Sequence, residues 1–469
     1  MNRPPLCGVT VMPEYFQTES IEPLLDGLLA CGVNAISTSP YVMAEADPQT
    51  GQREPPADAG AGKVRLLDRP LWGKQELWVR TAPSFLPQAS LYNGLAYQPA
   101  PADALTRQQG VLVEQVIAAA KQRKMAVFLQ VQAAIPPGYR VQFGGPCEAD
   151  QPRLPDGRAV TNRVANNGSL ASPQILAYQQ ALLRELCRAY PQIDGIRVDW
   201  PEYPPYELDS IFLDFSAHAE QAATRLGLPF AEMQRDAQQL YDWLHGGLTA
   251  ADLAACTADP DNWPAELAAR FPALGDWLAF KNTLVEELLN GFRTTLAEAS
   301  GGTIRLWATS FPPPWSLLSG LDPARAARHV DTLSVKLYGM HWSMILRNYA
   351  EQLRAANPTL PVSALMAALF RLLDVGTGPA SGELSEVRYP DPDEPHLGSH
   401  EVHLRKIQQA QDAAGTCPVI PLAHSYGPLD DFRRRLEAAR DAGSHGFWIN
   451  RYGYLSDAKL AVLAELAAS

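Results

Sequence analysis

"DGIRVDWPEYPPY", residues 194–206, begins as an apolar β-forming run and ends in an Arg, an Asp and a Glu. A strand buried on both faces has no packing use for three charges, because an unpartnered buried charge is costly. In a closed parallel barrel the difficulty disappears. The C-terminal end of each strand opens onto a common mouth, where polar side chains gather. The stretch therefore predicts a barrel strand whose last residues, Arg197, Asp199 and Glu202, face a site.

Working outward, short β-rich runs alternate with longer helical patterns, the signature of βα units. Strands are expected at 7–15, 33–40, 125–133 and 194–200, then at 303–311, 331–340, 417–427 and 445–453. Helical patterns such as "QQGVLVEQVIAAAKQRK" and "PQILAYQQALLRELCRAY" lie between them. Eight such units predict a (β/α)8 barrel, read as a single barrel domain over residues 1–469. The competing fold is an open doubly wound sheet. That fold usually carries a glycine-rich turn after its first strand, and here the turn reads "MPEYFQTES". Long insertions are expected after strands two, four and six. They comprise a loop-rich stretch at 41–105, a helical one at 207–300 and a loop at 374–398, each at or near the mouth.

Hydrophobic residues make up 46% and charged ones 19%, an ordinary globular balance. The net charge of −12 argues against nucleic acid and against anionic membranes. No apolar run reaches the length of a membrane span, and the start "MNRPPLCGVTVMPEY" has no signal core. The six cysteines are scattered without a CxxC pair, so buried free thiols in a cytoplasmic protein are expected, with no metal site. No cofactor motif stands out.

Collecting the strand ends gives the candidate site. Strand one contributes Glu14; strand four contributes Arg197, Asp199, Trp200 and Glu202; strand five contributes Trp307. Strand six adds Lys336, Tyr338 and His341, strand seven His424, and strand eight Asn450 and Arg451. Two carboxyls among cations, hydroxyls and aromatic rings suit hydrolysis of a glycosidic bond. One acid protonates the leaving oxygen and the other attacks or activates water. Aromatic faces cover sugar rings and polar groups take their hydroxyls. Asp199 beside Arg197 is assigned as the ionised partner, Glu202 as the general acid, and Glu14 as its reserve. Glu202 stands three residues past Asp199, so the two carboxyls should lie within roughly 10 Å.

Plainer roles are open to the same residues. Arg197 and Asp199 would make an internal ion pair, Glu202 and Glu14 solvated loop acids, His424 a structural histidine, and Trp307 a packing residue. Lys336, inside an apolar strand, needs a carboxylate, and Glu14 or Asp199 would serve.

"DGIRVD" resembles the fourth-strand motif of the α-amylase family, Asp-Gly-Phe-Arg-x-Asp. That resemblance implies Asp199 as nucleophile and Arg197 as the group that hydrogen-bonds it. Strand five ("LWATSFPPPW") carries no acid, however, and strand seven has "AHSYG" where that family has His-Asp. The order of segments from "NGSLASPQILAYQQ" through "WLAFKNTLVEELLNGF" is similar to hypothetical glycoside hydrolases of bacterial genomes, barrel proteins acting on saccharides. A carbohydrate-active hydrolase is the expectation. Two alternatives stay open, a catalytically impaired carbohydrate-binding barrel and a sugar isomerase or lyase using Lys336 or His424 for proton transfer.

Overall fold

A computed structural model describes residues 5–56, 65–161, 163–378 and 382–468. Residues 1–4, and the parts of two expected insertions at 57–64 and 379–381, lie outside the described residues. Eight parallel strands close into a barrel: β1 (Leu6–Thr10), β2 (Ala35–Thr38), β3 (Ala126–Gln132), β4 (Gly195–Asp199), β5 (Arg305–Ser310), β6 (Thr332–Leu337), β7 (Val419–His424) and β8 (Gly446–Asn450). Each strand pairs with its neighbours in sequence order and β8 returns to β1, so no edge is left open. The fold is a (β/α)8 barrel.

Large rings fill its lumen. Phe128, Trp307 and Trp448 meet with centroid separations of 4.5–5.7 Å, and the Arg197 guanidinium lies 4.0 Å from the Trp448 centroid. Trp448 also donates its indole N–H to Thr10 Oγ1 at 2.9 Å. Such a ring crossing the axis needs a strand without a side chain beside it. A Cβ on Gly8 would stand 2.1 Å from Trp448, so β1 has glycine there. Gly195 serves β4 in the same way, with Phe128 and the Arg305 carbonyl under 3 Å from where a Cβ would be. The "DG" of residues 194–195 thus works at the closed end of the barrel. Asp194 accepts from the Val127 N–H at 2.7 Å and pairs with Lys121.

The crossovers differ from the sequence expectation in four places. Residues 274–300, read as part of the second insertion, form one 27-residue helix, Leu274–Ser300, that packs on the helix Pro173–Ala189 and on β5. It is the barrel's own crossover after β4. After β5 there are only two short helices, Trp315–Ser319 and Pro323–Ala326. After β6 the excursion is longer than 374–398: helices Gly339–Ala356 and Val362–Leu372 precede the loop, and the barrel helix is His400–Ala414. Val362–Leu372 packs against Ala250–Ala258, so the excursions after β4 and β6 support each other. Finally, residues 133–161 and 163–172 after β3 form long irregular connections that hydropathy did not distinguish from their surroundings.

The excursion after β2 contains a three-stranded antiparallel sheet of Tyr41–Glu45, Gln52–Glu54 and Leu77–Pro83. Of the cysteines, Cys7, Cys187 and Cys256 are buried and unpaired, but Cys147 is exposed and Cys31 and Cys417 are half-buried, contrary to expectation. No helix among the described residues is long and apolar enough to cross a membrane.

Candidate active site

Alternation along β4 turns Arg197 and Asp199 to the lumen, Asp199 one layer nearer the mouth. Asp199 Oδ1 lies 2.7 Å from Lys336 Nζ on β6 and accepts from Thr309 Oγ1 on β5 at 2.5 Å. Burial would raise this carboxyl's pKa. The Lys336 charge, hydrogen bonds from Lys336 and Thr309, and the more distant Arg197 outweigh it and hold the carboxyl below its ordinary value. Asp199 is the ionised acid of the mouth, and Lys336 has the carboxylate partner its position demanded.

Arg197 does not play its expected part. Its guanidinium is turned into the aromatic layer, with Nη1 donating to Thr10 Oγ1 at 3.4 Å, and no ion pair forms between Arg197 and Asp199. Burial pulls its pKa down to about 10. The physical reason is reach. Asp199 stands at the strand end, beside Lys336 arriving from across the mouth, while the Arg197 side chain leaves β4 one layer lower among ring faces that accept a cation. Arg197→Leu is therefore expected to cost about 1–3 kcal/mol of stability through lost packing. Activity per folded molecule should fall far less than in Lys336→Met. Denaturation and turnover of the two variants, measured side by side, check this, and equal losses of activity would restore Arg197 to the site.

Glu202 is fully enclosed. Oε1 accepts from the Phe311 N–H at 3.2 Å and Oε2 from Ser319 Oγ at 2.5 Å. Burial, opposed mainly by the Lys336 charge, pushes its pKa up to about 7. Its carbonyl accepts from Asn167 Nδ2 at 2.6 Å, which ties the turn to the connection after β3. Asp199 and Glu202 are anchored to Thr309 and Phe311, two residues apart, a spacing of about 7 Å in extended chain. Trp200 between them has φ +51°, the left-handed region a tryptophan rarely enters, and its ring lies 4.9 Å from Lys336 Nζ. Backbone held in such a conformation is a mark of functional turns. The "YPPY" that follows is locked by its rings. Tyr203 OH donates to Asp214 at 3.1 Å, and Tyr206 OH lies 3.2 Å from His341 Nδ1.

Glu14 is buried, takes a hydrogen bond from Tyr41 OH at 2.8 Å and lies 3.6 Å from Arg140. Burial raises its pKa despite the guanidinium, and its Oε1 has no hydrogen-bond partner. Arg451 pairs with Glu54, and so does Arg140. Burial opposes ionisation of Glu54 too, but two guanidiniums hold its pKa below the ordinary value. Glu54 and Arg140 went unnoticed in the sequence because Glu54 ends a strand of only three residues and Arg140 sits in an irregular segment, too little periodicity to place either.

On the β6–β7 side, Tyr338 packs edge-on against His341 and His424 at 5.5 and 5.1 Å. His424 Nδ1 accepts the Tyr426 N–H at 3.0 Å, and burial, with Arg65 and other cations nearby, drives its pKa well below the usual histidine value. It is a neutral imidazole. Asn450 is half-buried, with its carbonyl accepting from Ser425 N–H. Trp307 lies in the lumen layer below the mouth, 3% exposed, and cannot stack on a bound sugar. Trp200 and Phe311, whose rings lie 4.9 and 5.0 Å from Lys336 Nζ, stand beside the acids.

No family model matches this chain, and no curated protein matches its sequence. Among solved structures, the β-galactosidase of the psychrophilic Marinomonas ef1 superposes over 99% of this chain and 59% of its own, with a TM-score of 0.53 at 10% identity. The β-galactosidase of Bacillus circulans sp. alkalophilus does so over 99% and 55%, with a TM-score of 0.50 at 11% identity. The chain spans less than two-thirds of the length of either enzyme, and the likeness is one of fold.

Proposed function

We propose that this protein is a carbohydrate-active enzyme that hydrolyses O-glycosyl bonds at the C-terminal mouth of its barrel. The observation that carries the reading is the contrast between two neighbouring carboxyls. Asp199 is kept ionised by Lys336 and Thr309, while Glu202, three residues on and anchored two residues further along the β5 chain, holds its proton to about pH 7. Carboxyls pushed apart in this way divide the labour of glycoside hydrolysis, one as nucleophile or base and the other as acid. The fold shared with two β-galactosidases supports the same class by analogy. The ion pair commits the Lys336 ammonium to Asp199, which weighs against the isomerase alternative.

A panel of 4-nitrophenyl glycosides tests the reading, and hydrolysis of at least one member is expected. Binding without turnover would favour the carbohydrate-binding alternative. Glu202→Gln should slow substrates with poor leaving groups by roughly 10²–10⁴-fold and activated aryl glycosides much less. The wild-type rate should fall on the alkaline side near pH 7, and the variant should lose that limb. The same carboxyl has a stability signature. Its folded value lies above the ordinary 4.5, so its contribution is complete below about pH 4.5 and is lost as pH rises through about 7. Melting curves of wild type and Glu202→Gln should therefore diverge across that window.

A second reading assigns the acid role to Glu14. Both oxygens of Glu202 accept hydrogen bonds, whereas Glu14 also has a raised pKa and an Oε1 without a hydrogen bond, 3.6 Å from Arg140. A leaving-group-dependent loss in Glu14→Gln, with Glu202→Gln near wild type, would select it.

A further inference from the structure

We propose, building on the hydrolase reading, that the pocket is blind and takes one terminal sugar residue, so that the enzyme acts from chain ends and not within chains. The inference comes from what covers the mouth. Glu54, from the sheet inserted after β2, is fully buried between Arg140 of the post-β3 connection and Arg451 just past β8. Eleven residues on, the Arg65 guanidinium lies 5.5, 5.6 and 5.5 Å from the ring centroids of Tyr389, Tyr426 and Tyr454. Those tyrosines come from the loop after β6 and from the segments just past β7 and β8. The excursion after β2 is thus fastened across the mouth at two separate places. One fastening is ionic; the other is a cation held against three ring faces, an attraction that strengthens when water is excluded.

Exposure follows the fastenings. Glu14 and Tyr454 are fully buried, Tyr426 is 2% exposed and His424 4%. The strand ends of β1 and β7 are therefore walled off, and Tyr454 beyond β8 is covered with them. The Asp199 side chain keeps 16% of its surface, and Trp200 beside it 9%. The ionised acid is the most exposed of these groups. An enzyme that cuts inside a polysaccharide needs a groove open at both ends, with chain running out on either side of the scissile bond. Here a chain laid over Asp199 toward β7 or β8 would meet the Arg65–tyrosine wall, and toward β1 the Glu54 pairs. A terminal residue entering from the β4 side meets neither.

The test uses the full chain and borohydride-reduced tetrasaccharides: cellotetraitol, maltotetraitol, chitotetraitol and β-1,4-galactotetraitol. Products are read by mass spectrometry before a tenth of the substrate is consumed. Monosaccharide and the corresponding trisaccharide alditol, without disaccharide, are expected. Disaccharide among the first products would overturn the proposal even as it upheld the hydrolase reading. If neither the tetrasaccharides nor 4-nitrophenyl glycosides react, the hydrolase reading fails, and saturation-transfer NMR with the unreduced tetraoses decides the pocket separately. Saturation confined to one terminal ring supports a blind pocket. Saturation over all four rings, or of none, overturns it. Arg65→Ala should open the wall and admit disaccharide release, with Tyr389→Ala as its substitute if the first variant does not melt cooperatively. Unchanged products in a folded variant would remove Arg65 from the wall.

Discussion

Asp199→Asn is expected to lower kcat/KM by roughly 10²–10⁴-fold on every glycoside the protein hydrolyses, activated or not. The substitution is nearly isosteric, and the amide can still accept from Thr309, so the shape of the turn survives. What it removes is the negative charge that Lys336 and Thr309 maintain at the end of β4. An attacking or base carboxylate is needed whatever the leaving group. The loss should therefore be uniform across the substrate series, unlike the graded loss expected for Glu202→Gln. Steady-state kinetics on aryl glycosides with leaving groups of differing acidity separates the two patterns. An Asp199→Asn protein with wild-type rates would end the assignment.

The largest effect on stability is expected for Lys336→Met. Methionine keeps the length and apolar stem of the side chain while deleting the ammonium, so the neighbouring rings of Trp200 and Phe311 remain packed. Asp199 then loses the partner that most favours its ionisation. Removing one member of a buried pair typically costs about 3–5 kcal/mol, because the other charge is left stranded. The pH dependence fixes the cause. Asp199 has a folded-state value below the ordinary 3.8, so the stability it contributes is present above that value and lost as pH falls through the folded one. The gap between wild type and Lys336→Met should be widest at neutral pH and should narrow in acid. Urea denaturation at pH 7 and near pH 3.5 measures both ends. Equal stability at pH 7 would mean that the pair contributes nothing net. Activity should fall with the pair, since a carboxyl whose pKa rises is ionised, and so available as nucleophile or base, in a smaller fraction of molecules.

The barrel was legible because its signal is local. Each strand is a short β-rich run and most crossovers are amphipathic helices, and these periodicities survive any arrangement of loops. All eight strands stand where the pattern put them, seven of them within three residues at either end, while the first stops at Thr10 and the expected residues 13–15, Glu14 among them, open a helix. The need of Lys336 for a carboxylate was equally a sequence inference, since a lysine in an apolar strand has few other resolutions. By contrast, the helix at 274–300 carries the same 3.6-residue period whether it belongs to an insertion or to the barrel. Only its packing against Pro173–Ala189 and β5 distinguishes the two.

Partnership among the charges was a different matter. Spacing along β4 puts Arg197 and Asp199 on one face, and the sequence alone makes them the natural pair. Tertiary structure decided otherwise, because the lumen offers Arg197 the faces of Trp448 and Trp307 while Lys336 reaches Asp199 from β6. Glu54, Arg140 and Arg65 had no signal at all. Glu54 ends a three-residue strand and the other two lie in irregular chain, and each acquires meaning only from residues far away in sequence, Glu54 from Arg451 and Arg65 from three tyrosines beyond residue 388. The sequence by itself determined the strands and that polar residues would collect at their ends, since both follow from hydrophobic periodicity and the cost of burying charge. Which charges meet, and how much of the mouth stays open, was decided by three-dimensional packing, because electrostatic partnership depends on distance through space and periodicity along the chain carries no record of it.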